Sequence, residues 1–211
     1  MERLGISKMT GKLEFFRAIN ADPGSNPFCQ SMHSNPNLIC HHCYSMHLLD
    51  TARKSCRPAF ARNSSLLSEM RITRDQVIQF YPGEHVRMLA HGELVNDLMF
   101  ENLCALSTWF PQTRFLMWTK RKDIVQRNMG IIPDNMRIIY SSPLINPSGV
   151  RIPSGFNGVF NVFTNDYVLQ HGIPINCHGK CIECMRCYTE DRFVTNELLR
   201  WRGVVVSDAE R

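Results

Sequence analysis

The chain has 211 residues, 44% of them hydrophobic and 20% charged, with a formal net charge of +5. That length supports a substantial core, and no apolar run reaches the roughly eighteen residues that mark a membrane-spanning helix, so no membrane partner is expected. The modest positive charge permits a nucleic-acid or polyphosphate partner without requiring one.

Met1 to Asp22 mixes Glu, Arg, Lys and Asp with apolar residues, which is not the pattern of a secretory leader. A cytoplasmic chain is expected. There, nine cysteines favour metal binding over a disulfide framework.

In chain order, Lys12 to Asn20 reads as a strand followed by the breaker run ADPGSNP. A turn-rich stretch then leads to CHHCY, after which SMHLLDTARK enters a helix. Ser64 to Phe80 carries an imperfect helical pattern ending at Pro82. Val86 to Ala90 (VRMLA) reads as a short apolar strand with His91, Gly92 and Glu93 just beyond it.

Leu94 to Phe110 predicts a helix, with Cys104 on its apolar side as a core residue. Arg114 to Thr119 is a strand, Lys122 to Met129 a short helix and Met136 to Ser141 a strand. Val159 to Phe163 and Tyr167 to Gln170 read as short strands. Asp191 to Trp201 reads as a closing helix, and the final VVV run as an edge strand.

Alternating strands and helices imply parallel strands joined by crossovers. The expected fold is α/β, a truncated or partial barrel-like parallel sheet. Residues 1–170 would form the α/β core with its N-terminal cysteine loop. Residues 171–211 would form a cysteine-rich cluster-binding segment with the closing helix.

Cys177, Cys181, Cys184 and Cys187 fall within eleven residues, CHGKCIECMRC. Four thiolates this close surround one metal centre more readily than they form independent disulfides. Zinc sites usually divide their ligands into two separated pairs, so the compact quartet points to a 4Fe-4S cluster, with zinc as the alternative metal. Lys180 and Arg186 would offset the charge of such a centre, and Tyr188 would pack over it.

Cys29, Cys40, Cys43 and Cys56 form a looser second set in which Cys40 and Cys43 are the firm pair. Cys29 and Cys56 either complete a site or are structural, so one cluster or two are expected. His33, His41, His42 and His47 widen the ligand choices.

At the strand ends, Gly92 would admit a ligand close to the backbone and Glu93 could accept hydrogen bonds from an ammonium group. The plain alternative is a strand-to-helix turn with Glu93 in the first helical turn. Asn96 and Asp97, the basic run Lys120 to Lys122, and Ser141 with Ser142 also follow strands. A parallel layout would gather all of these on one rim.

GISKMTGKLEFF, CHHCY, VRMLAHGEL, FLMWTK and MRIIYSS together resemble the phage gene-product-88 family, whose members are cysteine-rich. More weakly, the order of motifs resembles the start of a radical S-adenosylmethionine enzyme. There, three cysteines after a strand hold a cubane with one open iron, and a Gly-Gly-Glu-Pro stretch after the next strand receives the methionine ammonium.

That resemblance implies that Cys29, Cys40 and Cys43 hold the cluster and that Gly92 and Glu93 contact S-adenosylmethionine. The terminal quartet would then be an auxiliary cluster. Pro36 stands where the first of the three cysteines is expected, and His91 and Leu94 replace the flanking glycine and proline.

The leading expectation is an iron–sulfur protein of radical type acting on a small-molecule ligand. The rival is a non-catalytic, metal-stabilised nucleic-acid or protein interaction module. Its support is the charge, the basic run, and the aromatics Trp109, Trp118, Tyr188 and Trp201.

Overall fold

The computed structural model describes residues 2–201 and 204–205. A seven-stranded sheet runs in sequence order: β1 (Ile6–Lys8), β2 (Arg17–Ile19), β3 (His85–Met88), β4 (Arg114–Thr119), β5 (Met136–Ile145), β6 (Gly158–Phe163) and β7 (Phe193–Leu198). β1 is antiparallel to β2, and every later neighbour is parallel. The fold is thus α/β with a mixed, largely parallel, unclosed sheet.

Between the strands lie α1 (Pro27–His33), α2 (Tyr44–Asp50), α3 (Arg57–Glu69), α4 (Asp97–Trp109), α5 (Lys122–Arg127) and α6 (Asn165–His171). Two four-residue turns of helix, α7 (Cys181–Cys184) and α8 (Arg186–Thr189), precede β7.

Strand alternation sorts side chains onto two faces. Val86, Met88, Phe115, Met117, Met136 and Ile138 join Leu66, Leu67, Phe100, Leu103 and Ile124 in the larger core. This is the face that α3, α4 and α5 cover, and Cys104 is buried there. Arg87, Leu116, Trp118, Ile139 and Phe160 occupy the intervening positions.

A smaller core forms on this second face. Leu116, Ile139, Phe160 and Phe193 pack there with Tyr188, and Phe16, Ile39, Trp118, Cys177 and Cys187 lie against them. The terminal cysteine segment therefore folds back over the face of the sheet that the long helices leave uncovered.

Three sequence expectations are corrected. Tyr167 to Gln170 is not a strand but the body of α6, which ends in the left-handed cap Gly172 at φ 61°; glycine tolerates that conformation without a Cβ clash. Asp191 to Trp201 is not a helix: Phe193 to Leu198 is a strand in register with Gly158 to Phe163. In it Phe193 and Thr195 are buried while Val194 is exposed, so burial on one face overrides the helical propensity of NELLRW.

The third correction is the helix expected over Ser64 to Phe80. It starts earlier, at Arg57 behind Pro58, and stops at Glu69. Beyond it Asn102 holds the chain in a loop, accepting from Ile72 N at 3.1 Å and donating to Leu67 O and Met70 O at 2.8 and 2.7 Å. Of the VVV run, Val204–Val205 form β9, which pairs with β8 (Arg200–Trp201) apart from the main sheet; Val206 lies outside the described residues.

Candidate functional site

None of the nine cysteines is in a disulfide. Seven of them fall into two groups on the sheet, of three and of four, and the first is built at the carboxyl ends of β2, β3 and β4.

The chain leaves β2 through Asn20, Ala21 and Asp22. Asn26 caps α1 by accepting from Phe28 N at 3.0 Å, while its amide donates to Glu93 O at 2.9 Å. Cys29, in the first turn of α1, is thereby tied to the loop after β3. His33 Nδ1 donates to Cys40 O at 2.9 Å, and His41 Nδ1 donates to His33 O at 3.0 Å. The two imidazoles lace the cysteine loop together.

Cys43 precedes α2. That helix is moored to the β3 end by the Tyr44 hydroxyl donating to Ala90 O and by Ser45 Oγ bonded to His91 Nδ1 at 2.8 Å. Burial pulls the His91 pKa down to about 4, with Arg53 adding to the effect. His91 is therefore a neutral structural residue.

Gly92 sits at φ 87°, and a Cβ there would lie 2.5 Å from Ala21 O. The close approach that demands glycine is that of the chain leaving β2. Glu93, 5% exposed, points under this loop. Its carboxylate accepts from Leu94 N at 2.9 Å, from Lys120 N at 2.8 Å and from the Thr119 hydroxyl. Three donors fix the carboxylate and leave part of its acceptor capacity unused.

Lys120 donates from Nζ to Ser141 Oγ at 3.3 Å. Burial alone would lower its pKa, but Cys40, Glu93, Cys43 and Cys29 together raise it. Burial pushes the Cys29 thiol well up, and Glu93, Cys43 and Cys40 push in the same direction. The Cys40 thiol is also raised, chiefly by burial.

Cys29, Cys40, Cys43, Glu93 and Lys120 thus form one electrostatic group. Cys56 is not among the groups that perturb Cys29 or Cys40; it stands on the turn that opens α3.

The second group lies on the face shared by β3, β4, β6 and β7. Cys177, Cys181, Cys184 and Cys187 line one cavity of about 260 Å³, together with Arg87, Trp118, Tyr188 and Thr195. Burial drives the Cys187 thiol up to about 12, against the pull of Arg87.

The cavity wall holds several buried polar atoms without a hydrogen-bond partner: Arg87 Nε, Trp118 Nε1, Tyr188 OH and Thr195 Oγ1. Buried polar groups are normally paired, so this concentration is unusual. Lys180 and Arg186, expected to offset thiolate charge, instead pair with Glu183 at 3.4 Å and Glu190 at 2.7 Å. Among the described residues, no three His, Cys, Asp or Glu side chains are placed to hold a single metal ion.

The basic run after β4 is not a free patch. Lys120 turns inward, and Arg121 donates to Leu94 O and Val95 O, each at 3.1 Å, and to Asp123. Trp109 packs against the larger core. Asp97 pairs with Arg127 at 2.9 Å, and Asn96 caps α4.

The sequence reading missed Arg87 and Thr119. A charged residue at an inward position of the apolar run VRMLA was the available signal for Arg87. Nothing in the sequence marked Thr119 as the partner of Glu93.

A family model described as Gene product 88 matches residues 8–175. The chain belongs to the Gene product 88 family. The matched stretch takes in CHHCY, VRMLAHGEL, FLMWTK and MRIIYSS, and stops just short of Cys177. No curated protein and no solved structure matches the chain. Among the described residues, no helix is long and apolar enough to cross a membrane.

Proposed function

We propose that this protein carries iron–sulfur centres and acts on S-adenosylmethionine. The observation that carries the reading is the cavity of about 260 Å³ walled by Cys177, Cys181, Cys184 and Cys187 and by buried donors lacking acceptors. A single zinc ion, with Zn–S bonds of about 2.3 Å, draws four sulfurs into mutual contact and needs no such cavity. A cubane is larger, and its sulfides accept hydrogen bonds from N–H and O–H groups around it. Trp118 Nε1, Tyr188 OH and Arg87 Nε are donors of the kind that would serve.

The first group supports the enzymatic part. Cys29, Cys40 and Cys43 are three thiols without a fourth acting beside them, which suits a 4Fe-4S cluster with one iron left open. When bound, and given a one-electron reductant, such a cluster supplies the electron that splits S-adenosylmethionine into methionine and a 5′-deoxyadenosyl fragment, which takes a hydrogen atom from substrate.

The protein's own residues hold and orient. Glu93, fixed by Thr119 and two backbone amides, offers its remaining acceptor capacity to the methionine ammonium. Lys120 keeps positive charge beside the three thiols and eases their deprotonation on metal binding.

The placement of these residues also fits. Loops at the carboxyl ends of adjacent parallel strands are where α/β folds bind ligands. The sequential strand order is what a partial barrel requires. Pro36, His91 and Leu94 depart from the superfamily pattern, and His91 serves here to moor α2.

The rival interaction module needs an exposed basic run and exposed aromatics. Lys120 and Arg121 are instead engaged by the protein itself, and Trp118 and Tyr188 line the cavity.

Anaerobically isolated protein should be brown and contain about four to eight irons with matching sulfide, the range for one to two cubanes. Stoichiometric zinc without iron would reject the reading. Dithionite-reduced protein should release 5′-deoxyadenosine from S-adenosylmethionine. Loaded protein that neither binds nor cleaves it would retain the clusters and remove the enzyme.

A further inference from the structure

Arg87 sits in the middle of an apolar strand, 4% exposed. Its guanidinium lies 3.5 Å from the centroid of the Trp118 ring, and its Nε has no hydrogen-bond partner. The groups that act on its charge are Tyr188, Tyr44, Cys187 and Cys181, none of them a carboxylate.

A buried guanidinium without an anion is among the costliest arrangements in a protein interior. Stacking on an indole offsets part of that cost. The cavity of the terminal quartet, which Arg87 lines, is where an anion paired with it would lie.

We propose that Arg87 is the built-in counter-charge of the quartet's metal centre and sets that centre's affinity and reduction potential. Four thiolates around a cluster leave a net negative complex. One fixed buried cation stabilises the more negative, reduced form more than the oxidised one, and so raises the potential. The proposal rests on the metal-binding reading of the quartet. It adds that a residue on β3, remote in sequence from all four ligands, governs how that centre behaves.

The charge should act with opposite signs in the empty and the loaded protein. With no metal, the guanidinium lacks the negative centre it would pair with and is a liability. With metal, it has its partner. A merely structural arginine would destabilise both states when removed.

The test uses the full chain carrying Cys29→Ser, Cys40→Ser and Cys43→Ser, so that only the quartet can be loaded, with Arg87, Arg87→Lys or Arg87→Met. Iron and sulfide content, thermal melting of the iron-free form, and a redox titration followed by electron paramagnetic resonance are measured on each. Arg87→Met should raise the melting temperature of the iron-free protein, shift the potential of the loaded centre to more negative values, and speed iron loss to a chelator by roughly tenfold or more. Arg87→Lys, which keeps the charge, should stay near the parent in potential.

An unchanged potential and unchanged iron retention in Arg87→Met would overturn the proposal while leaving the iron–sulfur reading intact. If the parent holds zinc instead of iron, the iron–sulfur reading fails by itself. Zinc competition then decides Arg87: at least tenfold weaker binding in Arg87→Met upholds the counter-charge, and equal binding overturns it. An Arg87→Met chain that melts lower than the parent when iron-free would also overturn it.

Discussion

Replacing Gly92 by alanine tests how the loop after β3 is held. Two effects add. Gly92 has φ 87°, and a Cβ in left-handed backbone costs about 1–2 kcal/mol. The new carbon would also lie 2.5 Å from Ala21 O and 2.8 Å from Ala21 C. Those are backbone atoms, so no rotamer change relieves the contact.

Ala21 cannot retreat freely, because its N–H donates to His91 O at 3.0 Å, while His91 N donates to Asn20 Oδ1, also at 3.0 Å. Forcing the two chains apart strains both bonds, and overpacking of this kind costs about 1–3 kcal/mol. The sum is roughly 2–5 kcal/mol of stability. Urea unfolding of the iron-free protein, followed by far-ultraviolet circular dichroism, measures it. A Gly92→Ala chain within about 0.5 kcal/mol of wild type, the scatter of a neutral surface change, would refute the tight crossing of these two loops.

Further outcomes follow from neighbouring groups. Asn102→Ala removes three hydrogen bonds that hold residues 67–72 against α4 and should lower stability by about 2–4 kcal/mol, measured by the same unfolding. Cys104→Ala should cost about 1–2 kcal/mol as a small core cavity and leave iron content unchanged, because Cys104 is buried in the helix-covered core with Met136 Sδ 3.9 Å away. His91, with its folded pKa lowered from 6.5 to about 4, takes up its proton more readily unfolded than folded. Its contribution is therefore complete above pH 6.5 and is lost as pH falls from there toward 4, worth about 3 kcal/mol. His91→Gln should flatten that part of the stability profile. Glu93→Gln replaces one acceptor oxygen by a donor facing backbone N–H groups, and should cost about 1–3 kcal/mol; under the proposed function it should also abolish 5′-deoxyadenosine release and spare iron content.

The sheet was legible in sequence where apolar runs were bounded by turn residues. RFLMWT matches β4 end to end, and VRMLA and MRIIYS locate β3 and β5. The helix expected over Leu94 to Phe110 was legible as an element, but it opens only at Asp97, behind Asn96 as its cap. The errors came where local preference and tertiary pairing disagree. TNDYVLQHG carries a Thr164 cap position, acidic Asp166 and a terminal glycine, yet its Tyr, Val and Leu suggested a strand. The closing residues of FVTNEL favour a helix, while its alternation matches the edge offered by β6.

The site divides in the same way. The quartet stood out because its members are close in sequence. The grouping of Cys29 with Cys40, Cys43, Glu93 and Lys120 depends on three neighbouring strands ending at one level, and spacing alone does not encode that. Arg87 shows in the sequence as one charge inside the apolar run VRMLA, but its setting beside Trp118 and the quartet is a matter of packing.

The order of the strands also bears on how the molecule is made. Each parallel strand finds its neighbour in the one synthesised just before it, so the sheet can grow as the ribosome delivers it, without waiting for distant pairings. The stretch from Cys177 to Tyr188 is the exception, since it must reach back to β3 and β4, which left the ribosome long before. Its docking is then a late step, a seam closed over strands that are already laid down.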